Sequence, residues 1–574
     1  MLGANQAQQA QNVKLYSQEL RHWRAPKLVQ ASPTPNTKTL YRLMGPGGAS
    51  VWGTWSTDVD VCPGPINDQT DFRYYYTGDG VPKKTNWVMA SSGGGAHPTN
   101  WQNMGVPGPV GAPTVAVGGS GTGTAEDRVY VYTYVNVFGA LQEESAPSPA
   151  SAMVPVQTGQ SVTVSGFSAT PTSNYNIAFI NIYRSVVGAS STSYEFVAQI
   201  AIGTASYVDT LTSAQLGDNL GTIGEIPPPS TLAGLVTLPS GALAGFVGNT
   251  VYFSEVYKPH AWPLAYAISL PRAVIGLGVY GTSVVVMTAR EPYVIVGPYP
   301  GAMTESKVPL MEPCVSKRTI VTDQWGVTYA SPNGLVNISD EIREVVTQSL
   351  FRRDEWQAIG PENMSAAIYD NKYFGGFPNV VPESTTIVID RNDRPALSYL
   401  KWAPTAIFVD SYTAAFFYVD ASDNNIYQQD PVDGVAVPYA WKSKRFMLPR
   451  AATFGAMQVD ANFGQSVPLQ DIQSINNALM AGDILGYANS MVANQFEANG
   501  SLLLTPGTGY VQVIIFGDGQ QVSQSSLYSI DVVRLPPFKS RAIEIQLVGN
   551  IDVRSVAVAT TVQELLSEIG QQTQ

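Results

Sequence analysis

Cysteine and histidine are scarce in this chain: Cys62 and Cys314, 252 positions apart, are its only thiols, and His22, His97 and His260 its only imidazoles. Neither a disulfide framework nor a Cys/His zinc site can be assembled from such a set. A His-based triad and an HExxH metal motif are equally disfavoured. Both thiols read as buried, and all three histidines as structural. Charge is scarce too. Only 13% of residues are Asp, Glu, Lys or Arg, about half the usual share. The 32 cations against 44 anions leave a formal net charge of −12. A general polyanion-binding surface is not expected, because such binders gain affinity by neutralising phosphates with Lys and Arg. A conduit for DNA has the opposite requirement and must avoid holding it.

Long apolar runs are missing as well. Residues 273–287 come nearest, but Gly276, Gly278 and Gly281 interrupt them, and a bilayer-spanning helix needs ~18 or more apolar residues. No membrane span is expected. The first ten residues, MLGANQAQQA, lack a charged n-region and an apolar h-region, so no secretion signal is expected either. There is no GxSxG elbow, P-loop or EF-hand loop. The Gly-rich GGSGTGT of 118–124 lacks the lysine of a phosphate loop and reads as a linker. No cofactor, metal or catalytic residue is implied, and the chain is not expected to be an enzyme.

What is abundant is turn and strand chemistry. The 574 residues include 52 Gly, 40 Pro, 29 Tyr and 10 Trp, and 44% are hydrophobic. That length suggests roughly three or four domains, and the composition a mainly β, multidomain chain with a few short helices. Residues 1–110 are irregular and look unable to bury a core alone. At 128–137, RVYVYTYVNV alternates Val129, Val131, Thr133, Val135 and Val137 with Tyr130, Tyr132 and Tyr134, a strand pattern. SAPSPAS (145–151) follows, then further strand patterns at 161–164, 179–185, 194–200 and 206–210. Spacing of this kind predicts an immunoglobulin- or fibronectin-like β-sandwich at 111–226.

Pro227, Pro228 and Pro229 mark a stiff boundary. Turn-then-strand units then recur, with Asn249, Thr282, Trp325, Asn371 and Asn424 as markers spaced 33, 43, 46 and 53 residues apart. These intervals are near the ~40–50 residues of a propeller blade and predict a β-propeller-like domain at 227–440; a second large sandwich is the competing reading. Residues 441–574 form a β-rich C-terminal domain. It begins with a strand pair broken at Pro449 and carries two short amphipathic helices as an insertion at 471–497. Strands at 510–516 and 521–523 flank a Gly517-Asp518-Gly519 turn. A final helix is capped by Thr561 and Glu564, with Val562, Leu565, Leu566 and Ile569 as its apolar stripe.

Among 44 acids, pairs such as Asp58 with Asp60 or Glu143 with Glu144 have the composition of a glycosidase pair. The alternation Asp58-Val59-Asp60 reads more simply as a strand carrying solvated acids. Residues 420–425, DASDNN, read as a turn rather than a Ca²⁺ loop. Two cation-aromatic clusters stand out as protein-contact candidates: Arg21, Trp23 and Arg24, and Trp441, Lys442, Lys444 and Arg445. Trp262, between prolines in YKPHAWP, reads as a packing wedge in a rigid loop and is a further protein-contact candidate.

AQNVKLYSQELRHWRAPK (10–27), FRYYYTGDGVPK (72–83), FSEVYKPHAWP (253–263), WKSKRFMLP (441–449) and VRLPPFKSRAIEIQLVG (533–549) together resemble the tail nozzle proteins, or tail tubular protein B, of short-tailed bacteriophages. The resemblance implies a virion structural protein, a homohexamer below the portal and its adaptor, whose central channel passes genomic DNA transiently during genome ejection. It implies contacts with the adaptor, with tail fibres and with a tip plug or needle, and residence in the virion tail after assembly in the host cytoplasm. It further implies that residues 1–110 and 441–574 fold together as a platform around the propeller. The helices at 471–497 depart from the family pattern. A tailspike-like glycan depolymerase and a receptor-binding tail protein are the alternatives; the channel-lining residues are not legible.

Overall fold

The computed structural model describes residues 7–16, 19–66, 71–187, 192–378, 386–390, 396–463 and 509–565. The chain is mainly β, with many antiparallel sheets and few short helices. It divides into two compact units. One holds residues 1–37, 333–335 and 345–574, the other 38–332 and 336–344. The irregular tract 1–110 is therefore not a single segment: its first 37 residues belong with the C-terminal part and the remainder does not. The expected helices at 471–497 lie outside the described residues.

In the unit of 38–332, a four-stranded sheet, Asp60–Pro63, Tyr74–Thr77, Lys83–Thr85 and Gln102–Asn103, follows a two-stranded ladder. Next comes a sandwich. Leu141–Glu144, Tyr130–Phe138, Ile177–Val187 and Thr192–Ala201 form its larger sheet, and Thr114–Gly118, Ser161–Ser165 and Ser206–Asp209 a smaller one. Tyr130, Tyr132 and Tyr134 point into the core with Val162, Val164, Ile180 and Ile182. The opposite, valine-bearing face is covered as well, for Val131 packs on Tyr183 and Leu220, so neither face of this strand meets water. The segment 118–124 is not merely a linker, since Thr122–Arg128 is a strand paired with Val154–Thr158.

SAPSPAS seals a free edge of this strand. Ser145, Ser148 and Ser151 donate backbone N–H groups to the carbonyls of Tyr134, Tyr132 and Tyr130 at 2.9, 2.8 and 2.9 Å. Their hydroxyls in turn accept from the N–H groups of the same tyrosines at 2.9, 3.1 and 2.9 Å. Proline alone would leave those groups without partners; a serine at every third position supplies them.

Past Pro229 the chain makes antiparallel four-stranded meanders. Two lie wholly in this unit: Ala233–Thr237, Leu243–Val247, Thr250–Phe253 and Ile268–Ser269; and Val274–Tyr280, Ser283–Thr288, Tyr293–Val296 and Thr304–Lys307. In a third, Val321–Asp323, Gly326–Ser331, Gly334–Ile338 and Arg343–Val345, the chain passes from one unit to the other. Gly276 and Gly278, which break the apolar run in the sequence, sit where a Cβ would collide with Ile320 and Val327. Their lack of a side chain lets the neighbouring segment approach.

The unit containing both ends of the described chain holds two more four-strand runs. Ser365–Tyr369, Lys372–Gly376, Thr386–Asp390 and Ala396–Leu400 form the first. Pro404–Val409, Phe416–Asp420 and Asn425–Gln429 form the second, whose fourth strand is Lys27–Ala31. Gln9–Gln11 pairs with Tyr439–Lys442, and Leu20 of Glu19–His22 meets Val553. Phe446–Ala461 lies between Val533–Gly549 and Val553–Ala559. Thus the segment around Pro449 is not a self-contained strand pair: Phe446–Ala461 is one strand with a bulge between Met447 and Ala452. Val511–Gly517 and Gln520–Leu527 form the expected hairpin, with Asp518 at φ 50° and Gly519 at φ 88°, the left-handed pair that a two-residue turn requires. Val13, Val459, Val513, Ile515 and Leu547 share the core of this sheet. Leu565, from the start of the terminal helix, is buried against Ala456 and Ala559.

Candidate functional site

A cavity of about 410 Å³ opens among Asp60–Pro63, the first strands of the two meanders that follow Pro229, and Lys317. Its polar centre is an ion pair. Lys317 Nζ donates to both Asp60 oxygens at 2.8 and 2.7 Å and lies 3.4 Å from Asp58 Oδ2. Asp60 Oδ2 also accepts from Gly234 N at 3.0 Å. Asp58 and Asp60 are therefore not two solvated acids, and with a shared ammonium between them they are not a free acid-base pair. Burial would lower the Lys317 pKa, but the two carboxylates outweigh it and raise it. Burial raises that of Asp60. Cys62 lines the same cavity, and burial pushes its thiol up to about 12. A protonated ammonium and a protonated thiol are poor nucleophiles at neutral pH; this arrangement ties strands together.

Other acids are tied in the same manner. Glu143 is 2% exposed and pairs with Lys84, which is wholly buried with its ammonium 4.7 Å from the centre of the Phe138 ring. His260 Nδ1 stands 3.8 Å from the other Glu143 oxygen, and burial lowers the His260 pKa. Glu144 accepts from Asn181 Nδ2 at 3.1 Å and from the Tyr183 hydroxyl at 2.7 Å. His22 Nδ1 lies 3.1 Å from Asp552, and His97 Nδ1 lies 2.8 Å from the Ala90 carbonyl. Cys314 is buried, its thiol also pushed up to about 12. In 420–425, Asp420 accepts from Ser422 N and Asp423 from Asn425 N, both at 2.9 Å, which is the hydrogen bonding of a turn. Among the described residues no cluster of His, Cys, Asp and Glu has the makings of a metal site.

The contact candidates separate sharply. Trp23 is 1% exposed, edge-on to Phe374 at 5.7 Å with Lys14 Nζ 4.4 Å from its ring centre. Core packing, not partner contact, accounts for it. Arg24 hydrogen-bonds through its backbone to Asp430 at 3.0 Å, and Arg21 pairs with Glu19. Trp262 is also 1% exposed, and its Nε1 donates to the Pro259 carbonyl at 2.8 Å, so it is a packing wedge and not the surface contact that was also expected of it. Trp441 packs against the C-terminal core. Lys442 and Arg445 lie 2.8 and 3.8 Å from Glu544. Lys444 Nζ sits 5.4 Å from the Phe446 ring centre.

Just beyond that cluster lies a surface the sequence reading passed over. Arg450, Lys539 and Arg541 are exposed, and among the described residues none has an ion-pair partner. Phe446 and Met447 beside them are 44% and 60% exposed. The signal was present in FKSRAIEI, where Lys539 and Arg541 alternate with inward Phe538, Ser540 and Ala542.

No family model and no curated protein matches this chain. Solved structures do match, at low similarity. The extracellular domain of a putative hybrid two-component system from B. thetaiotaomicron is 9% identical with a TM-score of 0.25, over 59% of this chain and 43% of that one. PorZ, a surface component of the type-IX secretion system of Porphyromonas gingivalis, is 10% identical with a TM-score of 0.21, over 64% and 42%. The extracellular domain of a putative one-component system from B. thetaiotaomicron is 9% identical with a TM-score of 0.20, over 91% and 57%. The chain thus spans about half the length of these structures. Likeness at this level fixes neither fold nor function. No helix among the described residues is long and apolar enough to cross a membrane.

Proposed function

We propose that this protein is a virion structural protein, the subunit of a hexameric tail nozzle of a short-tailed bacteriophage, below the portal and adaptor. The observation that carries the reading is the placement of Gln9–Gln11 and Glu19–His22 in one sheet with Tyr439–Lys442, Phe446–Ala461, Val533–Gly549 and Val553–Ala559. A platform built jointly from both ends of the chain, with the meanders inserted between, is what the resemblance implies. The tie-like chemistry of the buried acids also suits a protein that bears load rather than turns over a substrate.

Charge supports the same reading. Six chains carry six times −12, or −72. An acidic ring repels phosphates and lowers the friction on escaping DNA. Cryo-electron microscopy of the virion tail tests the proposal: the expected result is six copies around an open axial channel below the adaptor. Density for this chain on peripheral appendages, in threefold sets, overturns it and favours the tailspike reading.

A further inference from the structure

We propose that the face carrying Phe446, Arg541, Lys539 and Arg450 docks onto an acidic surface of a second copy of this chain. The inference rests on the reading of the protein as a ring subunit and assigns one side of the contact between neighbours. Phe446 pairs across the ladder with Ile543, and Thr453 with Lys539. Cross-strand partners share a face, and so do residues two apart on a strand. Phe446, Ile543, Arg541, Lys539 and Thr453 therefore line one side of the sheet. Arg450 lies in the bulge between Met447 and Ala452, across from Arg541. The result is three cations with no ion-pair partner among the described residues, beside an exposed aromatic, in a chain whose isoelectric point is near 4.8.

An exposed Phe flanked by arginines is the make-up of a protein contact, with an apolar centre and a charged surround. Phosphate binding needs the cations alone and gives Phe446 nothing to bury against. The occupant follows from charge complementarity. Asp340 and Glu341, at the turn between Gly334–Ile338 and Arg343–Val345, and Glu344, within the second of these strands, are exposed, and among the described residues none has an ion-pair partner. One copy thus carries both cations and anions that have no ion-pair partner among the described residues, on two separate patches, as a heterologous, ring-closing contact requires.

The test is a charge swap in the full-length chain, read by light scattering and sedimentation velocity at about 50 mM and 500 mM salt, with thermal unfolding to verify each variant's fold. Wild type is expected to self-associate, with association at least about tenfold weaker at high salt. The Lys539→Glu/Arg541→Glu variant and the Asp340→Lys/Glu341→Lys/Glu344→Lys variant each lose association alone and regain it when mixed. Phe446→Ala weakens association without removing its salt dependence. Wild type that stays monomeric to about 100 μM at low salt overturns the inference. So does a Lys539→Glu/Arg541→Glu variant that associates like wild type, and so does a mixture that fails to restore what both variants lost. A sixfold ring in virion tails with this face turned to solvent leaves the nozzle reading standing and removes this inference alone.

Discussion

The side-chain amide of Asn424 holds the backbone of Thr37, 387 positions earlier: its Oδ1 accepts from Thr37 N at 3.1 Å, while its Nδ2 donates to Thr34 O at 2.9 Å. Asn424 itself sits at φ 56°, a left-handed turn position that asparagine tolerates better than most residues. Asn424→Ala is expected to cost about 1–3 kcal/mol, because the Thr37 N–H loses its acceptor and the turn becomes strained, while the Thr34 carbonyl keeps the Thr37 hydroxyl at 2.6 Å. Asn424→Gly relieves the strain but not the lost hydrogen bonds, so it falls between wild type and alanine. Urea unfolding midpoints of the three proteins check the order.

Trp23 and Arg21, two positions apart, are expected to behave as opposites. Trp23→Ala empties a core site against Phe374 and costs about 3–5 kcal/mol. Arg21→Ala at the surface stays within about 0.5 kcal/mol of wild type. Equal, small losses in chemical denaturation would return Trp23 to the surface.

Lys84 and Glu143 form a fully buried pair. Lys84→Met leaves a carboxylate without its ammonium and is expected to cost about 3–5 kcal/mol, whereas Lys84→Met with Glu143→Leu recovers most of that loss. A double-mutant cycle read by thermal or urea unfolding gives the coupling. Additive losses would mean that the two side chains do not share a site.

The acid limb of stability should run through Glu544. Burial pulls its pKa upward, but hydrogen bonds from Lys442 and Gln8 and the charges of Lys442 and Arg445 outweigh this and hold it below the ordinary value of 4.5. The unfolded chain therefore binds this proton more readily than the folded one. The stabilisation is fully present above about pH 4.5 and is lost as pH falls through the folded pKa. Glu544→Gln is expected to lower stability at pH 7 and to flatten the decline below pH 4.5. Unfolding midpoints between pH 3 and 7 measure both slopes.

How far the sequence revealed the fold depended on the reach of each contact. Tyr130–Phe138 and the Asp518-Gly519 hairpin are local patterns and were legible as such. All five turn markers fall in hairpins, one in each four-stranded meander. Their uneven spacing has a simple cause: Asn249 and Asn424 occupy the second hairpin of their sheets, and Thr282, Trp325 and Asn371 the first. Long-range pairings left no local trace. Nothing in KLVQA announces that Lys27–Ala31 completes a sheet with Asn425–Gln429, and nothing near Asp60 points to Lys317, 257 positions on. At the candidate contact surfaces the sequence located cation-aromatic clusters but not their burial. Trp23 turned inward and Glu544 neutralised its neighbours, so the free cations were the ones farther along the same ladder.

The strand Lys27–Ala31 also sets a clock. It leaves the ribosome about 400 residues before Gln428, its partner. At ~5–20 residues per second that is roughly 20–80 s during which a short strand bearing Leu28 and Val29 has no sheet to join. The last meander, and with it the unit that holds both ends of the described chain, closes only after most of the protein has been made. An N-terminal tag bulky enough to hinder that late edge pairing should trap the chain before closure, whereas a tag after the C-terminus leaves the step untouched.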